Sequence, residues 1–581
     1  MAGMSSLGIA ISGMNAARQG LNVIGHNISN LESPGYVRQG IVQGEFLVNT
    51  IGRNGSGLMQ LGLGTDVLAV RQIRDKFLDR SFRMEAPRFG FYNAKSEVGS
   101  QVLEIFGELE GEYKMGDVFD KLWKSLNNLS IDPVGLDTRG AFVSTLITFM
   151  DKINNTSARL AELQSNINNQ VSEIVTRINQ ITTSIDNFNR KIAMEEAGGA
   201  NANDYRDSRN MLLDELSLLI DIDCKELPDG SINVMTEGRE LVVNGVVNRV
   251  GLRYSSENER FVEPVFTQST AILPADPTNQ NAYPMFNFNT DVNAAIGNDT
   301  GRLKGLLIAR GSAPANYTHS PDALREIIAQ KKAANLDYSA ESKMLFNVTN
   351  CTIPKMQLEL DTLVHSVVTL INDTFSPYIA GTPPTKDPNA PYGIDENQTQ
   401  YMEIFVRANS GVDANGDPYS SRFNAAGELI EENPDDYYSL YSLGNIKLNE
   451  ELYQTESYSK IPLSKTGDIS DATIVLDLIE KWNSEFIAVG SGKPLGVNDF
   501  YKMIVLNVAV ETNEADNYVD SQGLLLESID GKRTQISGVS LDEEMRNMMV
   551  YQQSYNASSR ILNVIDSMLD KIVNGTGRVG N

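Results

Sequence analysis

The sequence predicts a multidomain α+β protein with a coiled-coil domain made by its terminal helices, a core domain of long helices, and inserted β-rich domains. Apolar residues recur at alternating steps of three and four at both ends of the chain. Similar spacing continues through one very long segment, from Leu146 to Ile192. From Cys224 the apolar period changes to two, which is typical of β-strands.

The terminal helices each carry one narrow apolar seam. In the N-terminal helix it comprises Leu7, Ile11, Met14, Ala17, Leu21, Ile24 and Ile28. In the C-terminal helix it comprises Met545, Met548, Tyr555, Leu562, Ile565, Leu569 and Ile572, with Gln552 and Ser559 as polar interruptions. This spacing is typical of a coiled-coil partner. We expect each seam to be buried against the other or against copies of the same protein; docking of both helices on a globular core is the alternative.

Glycine weakens the N-terminal helix. Five glycines interrupt it, at positions 3, 8, 13, 20 and 25, and each costs about 1 kcal/mol relative to alanine. Because an isolated helix of this length is marginal in water, we expect the ends to be loose in the free monomer and ordered when they pack. The C-terminal helix is better specified, since a capping box at 540–543 and acidic residues at 542–544 stabilise its first turn.

Composition and charge argue against several functions. The 581 residues are enough for about three or four domains. The chain has 75 acidic and 49 basic residues and a formal net charge of −26, so we expect no nucleic acid or membrane as partner. The histidines, His26, His319 and His365, are scattered, and no catalytic or metal-binding signature is present. We expect no enzymatic activity, no cofactor and no metal site.

The cysteines and the N-terminus bear on the compartment. Cys224 and Cys351 are the only cysteines; we expect two buried thiols, and the sequence leaves open whether they pair. Residues 1–17 lack the basic and continuously apolar parts of a cleavable secretory signal. No stretch reaches the roughly 18 apolar residues of a membrane span. These features predict a cytoplasmic protein, or one exported without cleavage.

Glycine, proline and changes of period divide the chain into domains. The terminal coiled-coil domain is predicted to comprise 1–40 and 536–581, and the helical core domain 41–223, 301–311, 351–376 and 471–535. A first β-rich domain is predicted over 224–300, with hairpin turns at Asp229-Gly230, Glu237-Gly238 and Asn244-Gly245. Inserted outer segments occupy 312–350 and 377–470, with a possible strand at 401–406.

Helices are expected over about 77–107, 116–129, 205–219, 301–310 and 354–375, and in a last set from 471 to 529. The long helix should end at Gly198-Gly199 and reach on the order of 75 Å. Short strands and glycine turns are expected over 36–75.

Three stretches resemble the axial proteins of the bacterial flagellum. Ser5 to Gln39, with the segment Gly25-His26-Asn27-Ile28-Ser29-Asn30, is similar to the N-terminal signature of rod, hook and hook-associated proteins. Ser537 to Ser558 looks like the matching C-terminal signature. Asn201 to Arg209, followed by 212–220 and Asp229-Gly230, resembles the segment that joins the core to the first β domain in hook-associated protein 1. The chain thus resembles the hook-filament junction family in particular.

This resemblance implies a structural protein that polymerises at the distal end of the hook and forms the hook-filament junction. The terminal helices would pack into a nested coiled-coil tube, with the core domain around it and the β-rich domains facing outward. The implied partners are copies of the chain in a helical homo-oligomer, the hook protein, the second hook-filament junction protein, and an export chaperone on the C-terminal helix. Type III export without signal cleavage would place the protein outside the cell, in the flagellum.

Two functional alternatives remain open. The chain could be another axial protein, such as the hook protein or a flagellin, or a junction protein whose insert adds an adhesive role. Asp413 to Asp417 opens like a calcium loop, but Pro418 and Asn424 stand where such a loop needs glycine and glutamate, so we expect no calcium there.

Individual polar residues also have two interpretations. Asp204, Asp207 and Arg209 are interpreted as a structural ion-pair network beneath the β domain, in preference to an active site. Asn27 and Asn30 are interpreted as hydrogen-bonding residues at the helix terminus, with contact between subunits as the alternative.

Overall fold

The computed structural model describes residues 2–46, 48–54, 57–62, 64–107, 114–255, 261–267, 283–288, 290–408, 411–413, 416–490 and 492–575. The helices are α1 (Ala2–Ser29), α2 (Lys76–Phe106), α3 (Met115–Ile131), α4 (Leu136–Ala197), α5 (Asn203–Leu219), α6 (Arg302–Arg310), α7 (Pro321–Ala333), α8 (Ser339–Asn350), α9 (Thr352–Phe375), α10 (Thr473–Asn483), α11 (Val497–Ser537) and α12 (Leu541–Gly575).

The strands are short and form antiparallel sheets. They are β1 (Gln39–Glu45), β2 (Val48–Asn54), β3 (Gly57–Gly62), β4 (Thr65–Gln72), β5 (Asp223–Glu226), β6 (Ile232–Thr236), β7 (Arg239–Val243), β8 (Val246–Val247), β9 (Val250–Tyr254), β10 (Val262–Phe266), β11 (Tyr283–Pro284), β12 (Tyr378–Ile379), β13 (Thr385–Lys386), β14 (Phe405–Arg407) and β15 (Ile446–Leu448).

The core is built on α4, the predicted long helix. It has 62 residues and spans roughly 93 Å at 1.5 Å per residue. It ends before Gly198, as predicted, and begins ten residues before the first predicted seam residue, Leu146. Its buried apolar row packs against α3, α5, α6 and α9, while α2 packs on α6 and α11. One apolar cluster therefore runs through the whole helical core.

The β excursion after α5 is attached to α4 by asparagine side chains. The sheets have the orders β5-β6-β7-β8 and β9-β10-β11, and the predicted turn residues Gly230, Gly238 and Gly245 have positive φ. On α4, Asn179 exchanges two hydrogen bonds with the backbone of Val250, and Asn189 does the same with Ile232. These bonds give Asn179 and Asn189 a structural role in attaching the β-strands to α4.

The inserted outer segments differ from each other. Residues 321–350 form a helical hairpin, α7 and α8, which packs on α9. The region 377–470 has short strand pairs and 3₁₀ turns. The predicted strand at 401–406 is misplaced: β14 begins at Phe405, because Tyr401 has a φ of 57° that an extended strand does not allow. Ala414 and Asn415 of the calcium-like segment lie outside the described residues.

Both cysteines are free thiols. Cys351 is buried, and Cys224 is partly covered. Burial raises the pKa of Cys224 to about 11 and that of Cys351 to about 12. Neither thiol is therefore ionised near neutral pH.

Candidate functional site at the paired terminal helices

The two terminal helices pack against each other, antiparallel and in heptad register. α12 packs mainly on α1, which also rests on the ribbon formed by β1 and β4. Gly13 of α1 lies against Ser558, Gly20 against Tyr551, and Asn27 against Glu544. Each step of seven residues along α1 is matched by a step of seven back along α12. This is the spacing of a coiled-coil seam, here formed within one chain.

The predicted seam residues divide into two groups. Ala17, Ile24 and Ile565 are buried, and six others are partly covered: Leu7, Met14, Leu21, Met548, Leu562 and Leu569. Ile28 is also partly covered, whereas Ile11, Met545, Tyr555 and Ile572 are exposed. The structure therefore brings most of the two seams together and leaves four seam residues facing solvent.

Two glycines permit the close approach of α1 and α12. A Cβ atom at Gly20 would lie 2.7 Å from the ring of Tyr551, and one at Gly13 would lie 2.9 Å from Ser558 Oγ. A Cβ at Gly8 or Gly25 would have no atom within 4 Å. The sequence indicated only that these glycines weaken the helix. The structure shows that Gly13 and Gly20 also form the contact surface.

Asn27 joins both ends of the chain to the segment that follows α1. Its Nδ2 donates to the Gln39 carbonyl at 2.9 Å and to Glu544 Oε2 at 3.2 Å. Its Oδ1 accepts from the Tyr36 hydroxyl at 2.7 Å and from the Gln39 amide at 3.0 Å. All four hydrogen-bonding positions of this buried amide are therefore used. Asn27 does form hydrogen bonds at the end of α1, as predicted, but its partners lie in the segment after α1 and on α12, not within the helix.

Asn30 does have the predicted role at the end of the helix. Its Nδ2 donates to the carbonyl of His26 at 3.0 Å, and its Oδ1 accepts from the hydroxyl of Ser33 at 3.1 Å. Helix α1 ends at Ser29, four residues before the predicted stop at Ser33-Pro34-Gly35. The side chain of Asn30 thus closes the last turn before the chain reverses.

The hydrogen bonds of Asp204 and Asp207 go mainly to uncharged donors at Val37, at Gln39 in β1 and at Gln72 in β4. Asp207 accepts from the amide of Val37 at 3.1 Å and from Gln72 at 2.6 Å, with Arg74 at 3.6 Å. Asp204 accepts from Gln39 at 3.0 Å. Burial raises the pKa of Asp207 to about 7, although the Val37 amide and Arg74 act in the opposite direction.

The expectation that Arg209 belongs to an ion-pair network is wrong. Among the described residues its guanidinium reaches no carboxylate; Nη1 donates to Asn189 Oδ1 at 2.8 Å and to the Gly230 carbonyl at 2.7 Å. Burial lowers the pKa of Arg209 to about 10. Its neighbour Arg206 makes the ion pairs instead, with Glu196 at 2.7 Å and with Glu226. A side chain three positions earlier, about one helical turn away, thus has the role that the sequence assigned to Arg209.

A second ion-pair network fixes the return of the chain from the core to α12. Arg533, near the end of α11, contacts Asp79 at 3.0 Å and also pairs with Asp214. Arg83 contacts the other oxygen of Asp214 at 2.7 Å. Four residues after Arg533, the Ser537 carbonyl accepts from the Arg38 amide at 2.8 Å. The two segments that connect α1 and α12 to the core are therefore fixed next to each other.

One functional feature of α12 was missed by the sequence interpretation. A second apolar row lies beside the row that packs on α1, and it stays exposed: Val550, Ala557, Ile561, Val564, Met568 and Ile572. Only Ile572 had been assigned to a seam. The signal was present, because these residues follow each other at steps of seven, four, three, four and four.

The described part of the chain contains no group of three or more His, Cys, Asp or Glu side chains arranged to hold a metal ion. None of its helices combines the length and the apolar character that crossing a lipid bilayer requires.

Models of flagellar protein families match both the ends and the middle of the chain. The model described as "Flagellar hook-associated protein FlgK helical domain" matches residues 100–376. The model "Flagella basal body rod protein" matches 7–36, which contains most of α1. The model "Flagellar basal body rod FlgEFG protein C-terminal" matches 532–575, which contains α12.

Full-length relatives agree with these matches. The chain is 23% identical over 566 residues to flagellar hook-associated protein 1 of Bacillus subtilis (strain 168), covering 97% of this chain and 96% of the relative. It is 24% identical over 607 residues to the protein of the same name from Salmonella typhimurium, covering 98% and 100%. The solved flagellar hook junction protein FlgK from Burkholderia pseudomallei shares the fold, with a TM-score of 0.53 and 12% identity over 79% of this chain and 100% of that chain. The chain is therefore similar to flagellar hook-associated protein 1 over nearly its whole length, and this similarity supports a structural role in the flagellar axis.

Proposed function

We propose that this protein polymerises at the distal end of the hook and forms the hook-filament junction. The family supplies the location, since its members are named as hook-associated and hook junction proteins. The observation that carries the proposal for this chain is the exposed apolar row of α12. A helix that packs on its partner with one face and exposes a second apolar face needs a further partner.

The geometry of α12 separates its faces clearly. At 3.6 residues per turn, the exposed row lies roughly 100° around the helix from the row that packs on α1. Ile561, Val564 and Met568 are 53%, 53% and 59% exposed. A third face carries polar residues such as Gln553, Asn556 and Asn563. The exposed row therefore forms a distinct second seam.

The energetics favour association through several such residues together. Complete burial of a large apolar side chain contributes about 1.5–3 kcal/mol, so covering a half-exposed one contributes about 1 kcal/mol. One helix contact of this size is weak after the entropy of association is subtracted. A ring or helix of copies repeats the contact for every subunit, which suits a protein that stays monomeric until a template is present.

We propose that both apolar rows contribute to the polymer interface, the exposed residues by direct contact and the covered residues by positioning the helices. The exposed seam residues Ile11, Met545, Tyr555 and Ile572 would contact neighbouring copies directly, together with the second row of α12. The covered seam residues, including Leu21, would act by holding α1 and α12 in register. The core domain and the outward β-rich domains would then surround the paired helices.

The exposed apolar row of α12 is also a surface on which the proposed partners could bind. Copies of the chain, the hook protein below and the second junction protein above would cover the exposed row in the finished structure. Before export an apolar row of this length favours association with wrong partners, and an export chaperone on α12 would prevent it. We infer a purely structural role without catalysis, and a location in the flagellum outside the cell after uncleaved export.

The test replaces one face of α12 at a time in the source bacterium. Three variants of the chromosomal gene carry aspartate at Ile561, Val564 and Met568; at Met548, Leu562 and Leu569; or, as the control, at Gln553, Asn556 and Asn563. We expect hooks without filaments and flagellin in the medium for the first two and normal filaments for the control. Circular dichroism of the purified variants checks that the core remains folded. Normal filaments from the first variant would contradict the proposed interface.

A further inference from the structure

We propose that a basic cleft between β4, α2, α5 and β5 binds an acidic segment of a neighbouring copy of this chain. This inference rests on the proposed self-assembly and adds a contact between subunits outside the terminal helices. It concerns a surface of the core domain about which the apolar seams give no information.

The cleft concentrates positive charge in a strongly acidic chain. It has a volume of about 760 Å³, and its lining contains three carboxylates and seven cationic side chains: Arg71, Arg74, Lys76, Arg80, Arg83, Arg206 and Arg209. The whole chain, in contrast, has 75 acidic and 49 basic residues. A positively charged cleft in a negatively charged protein creates a local positive potential that attracts anions.

Part of this charge is already compensated inside the protein. Arg74 pairs with Asp79, and Arg83 pairs with Asp214. Arg206 and Lys76 share the carboxylate of Glu226. These pairs build the walls of the cleft, and the charged lining side chains outside them are Arg71, Arg80, Arg209 and the carboxylate of Asp223.

Three arginines remain without an acidic partner. Among the described residues, Arg71, Arg80 and Arg209 reach no carboxylate at ion-pair distance. Arg71 and Arg80 are exposed at the mouth of the cleft. Exposed arginines are ordinary on a protein surface, so they indicate a site only in combination with the buried one.

Arg209 is the unusual member. Its side chain is only 1% exposed, and its Nε has no hydrogen-bond partner among the described residues. Buried charges are normally paired, because an uncompensated one costs several kcal/mol. An anion that reaches into the cleft would compensate the charge of Arg209 and would use Arg71 and Arg80 at the mouth.

The rim of the cleft favours a protein segment over a small anion. Phe77, on the first turn of α2 beside the lining residue Lys76, is 73% exposed, and the lining residue Met84 is 64% exposed. A phosphate or carboxylate ion covers neither of them, whereas a peptide segment with acidic and apolar side chains covers both.

A second copy of this chain is the partner that the charges favour. In an assembly of identical subunits every neighbour presents more carboxylates than cations, and the cleft is the complementary surface. One wall of the cleft is held in place by two hydrogen bonds, because Asn201, just before α5, and Asn203, its first residue, both donate to the Val70 carbonyl of β4. A preformed site loses little conformational entropy on binding.

The experiment measures assembly of purified full-length chain on isolated hooks at low and high NaCl concentration. The double variant Arg71→Glu and Arg80→Glu reverses two exposed charges. The control, Lys124→Glu and Arg159→Glu, makes the same change in net charge at exposed positions on α3 and α4. We expect the cleft variant to bind about tenfold more weakly at low salt and to lose most of its salt dependence, while the control behaves as the wild type.

The outcomes separate the two proposals. Failure of the wild-type chain to assemble on hooks would overturn the junction function and this inference together. Assembly of the wild type and of the cleft variant with equal affinity would overturn the cleft contact alone, as would an equal loss in the control. A melting temperature raised by sodium phosphate at constant ionic strength, with unchanged assembly of the cleft variant, would assign the cleft to a small anion and overturn the protein contact.

Discussion

Asn27 and Glu544 lie 517 positions apart in the chain and are joined by a hydrogen bond of 3.2 Å. The same amide binds the backbone of Gln39 and the hydroxyl of Tyr36. One buried side chain therefore fixes α1, α12 and the passage to the core with respect to each other. The paired helices and the core are coupled at this residue.

Asn27→Ala should loosen the terminal helices while leaving the core intact. The change leaves the Gln39 amide and the Glu544 carboxylate without their partner, which costs about 1–3 kcal/mol. Hydrogen exchange followed by mass spectrometry should show faster exchange in α1 and α12, with α4 unchanged. Asn30→Ala, which removes only local bonds, should have a smaller effect; equal protection of α12 in Asn27→Ala and wild type would refute this role.

Gly20→Ala should weaken the helix pair although alanine is the better helix former. Alanine stabilises an exposed helical position by about 1 kcal/mol over glycine. At Gly20, however, the new Cβ would lie 2.7 Å from the Tyr551 ring, so the ring or α12 must move. Gly25→Ala is the matched control, because its Cβ would meet no atom within 4 Å, and we expect it to stabilise α1. Limited proteolysis of the two monomeric variants measures how well α1 and α12 are protected. Equal protection in both variants would show that the close approach at Gly20 is unimportant.

Asp207→Asn should reduce the pH dependence of stability. Burial raises the pKa of Asp207 from 3.8 to about 7, so the folded protein retains a proton that the unfolded chain loses. The stability from this proton is complete below pH 3.8 and is lost as the pH rises through about 7. Because asparagine does not titrate, the free energy of unfolding of the variant should change less with pH over this range than that of the wild type.

Urea unfolding across this pH range measures the Asp207 effect. The free energy of unfolding of the variant should still depend on pH, because the pKa values of buried Glu359 and Asp361 are also raised to about 7. Asp204→Asn, at a more exposed position, is the control. Parallel curves for Asp207→Asn and wild type would contradict the assignment.

The two thiols should resist alkylation in the folded protein. Their pKa values are raised to about 11 and about 12, and reaction requires the thiolate. Iodoacetamide should label Cys224 and Cys351 only after unfolding, as read by mass spectrometry of the intact chain. Rapid labelling of the native protein at neutral pH would contradict their burial.

The features that the sequence predicted correctly depend on residues that are close together in the chain. The end of α4 at Gly198-Gly199 and the turns at Gly230, Gly238 and Gly245 each contain a glycine with positive φ, which glycine adopts without steric cost. The heptad steps of α1 and α12 predicted that the ends need partners. These features require no knowledge of tertiary structure.

The rest depends on residues that are distant in the chain. Whether Arg209 reaches a carboxylate and whether Asn27 reaches Glu544 are decided by packing that no local pattern encodes. The second row of α12 was readable from its spacing. It was missed because Leu562, Ile565 and Leu569, beside it, complete a seam by themselves.

The central claim is that this chain forms the junction on which the filament grows. Deletion of its gene in the source bacterium, followed by electron microscopy of cells and an assay of flagellin in the medium, tests that claim most directly. The account predicts hooks without filaments and flagellin lost to the medium, with both defects corrected by the wild-type gene. Full-length filaments on the deletion strain would contradict it.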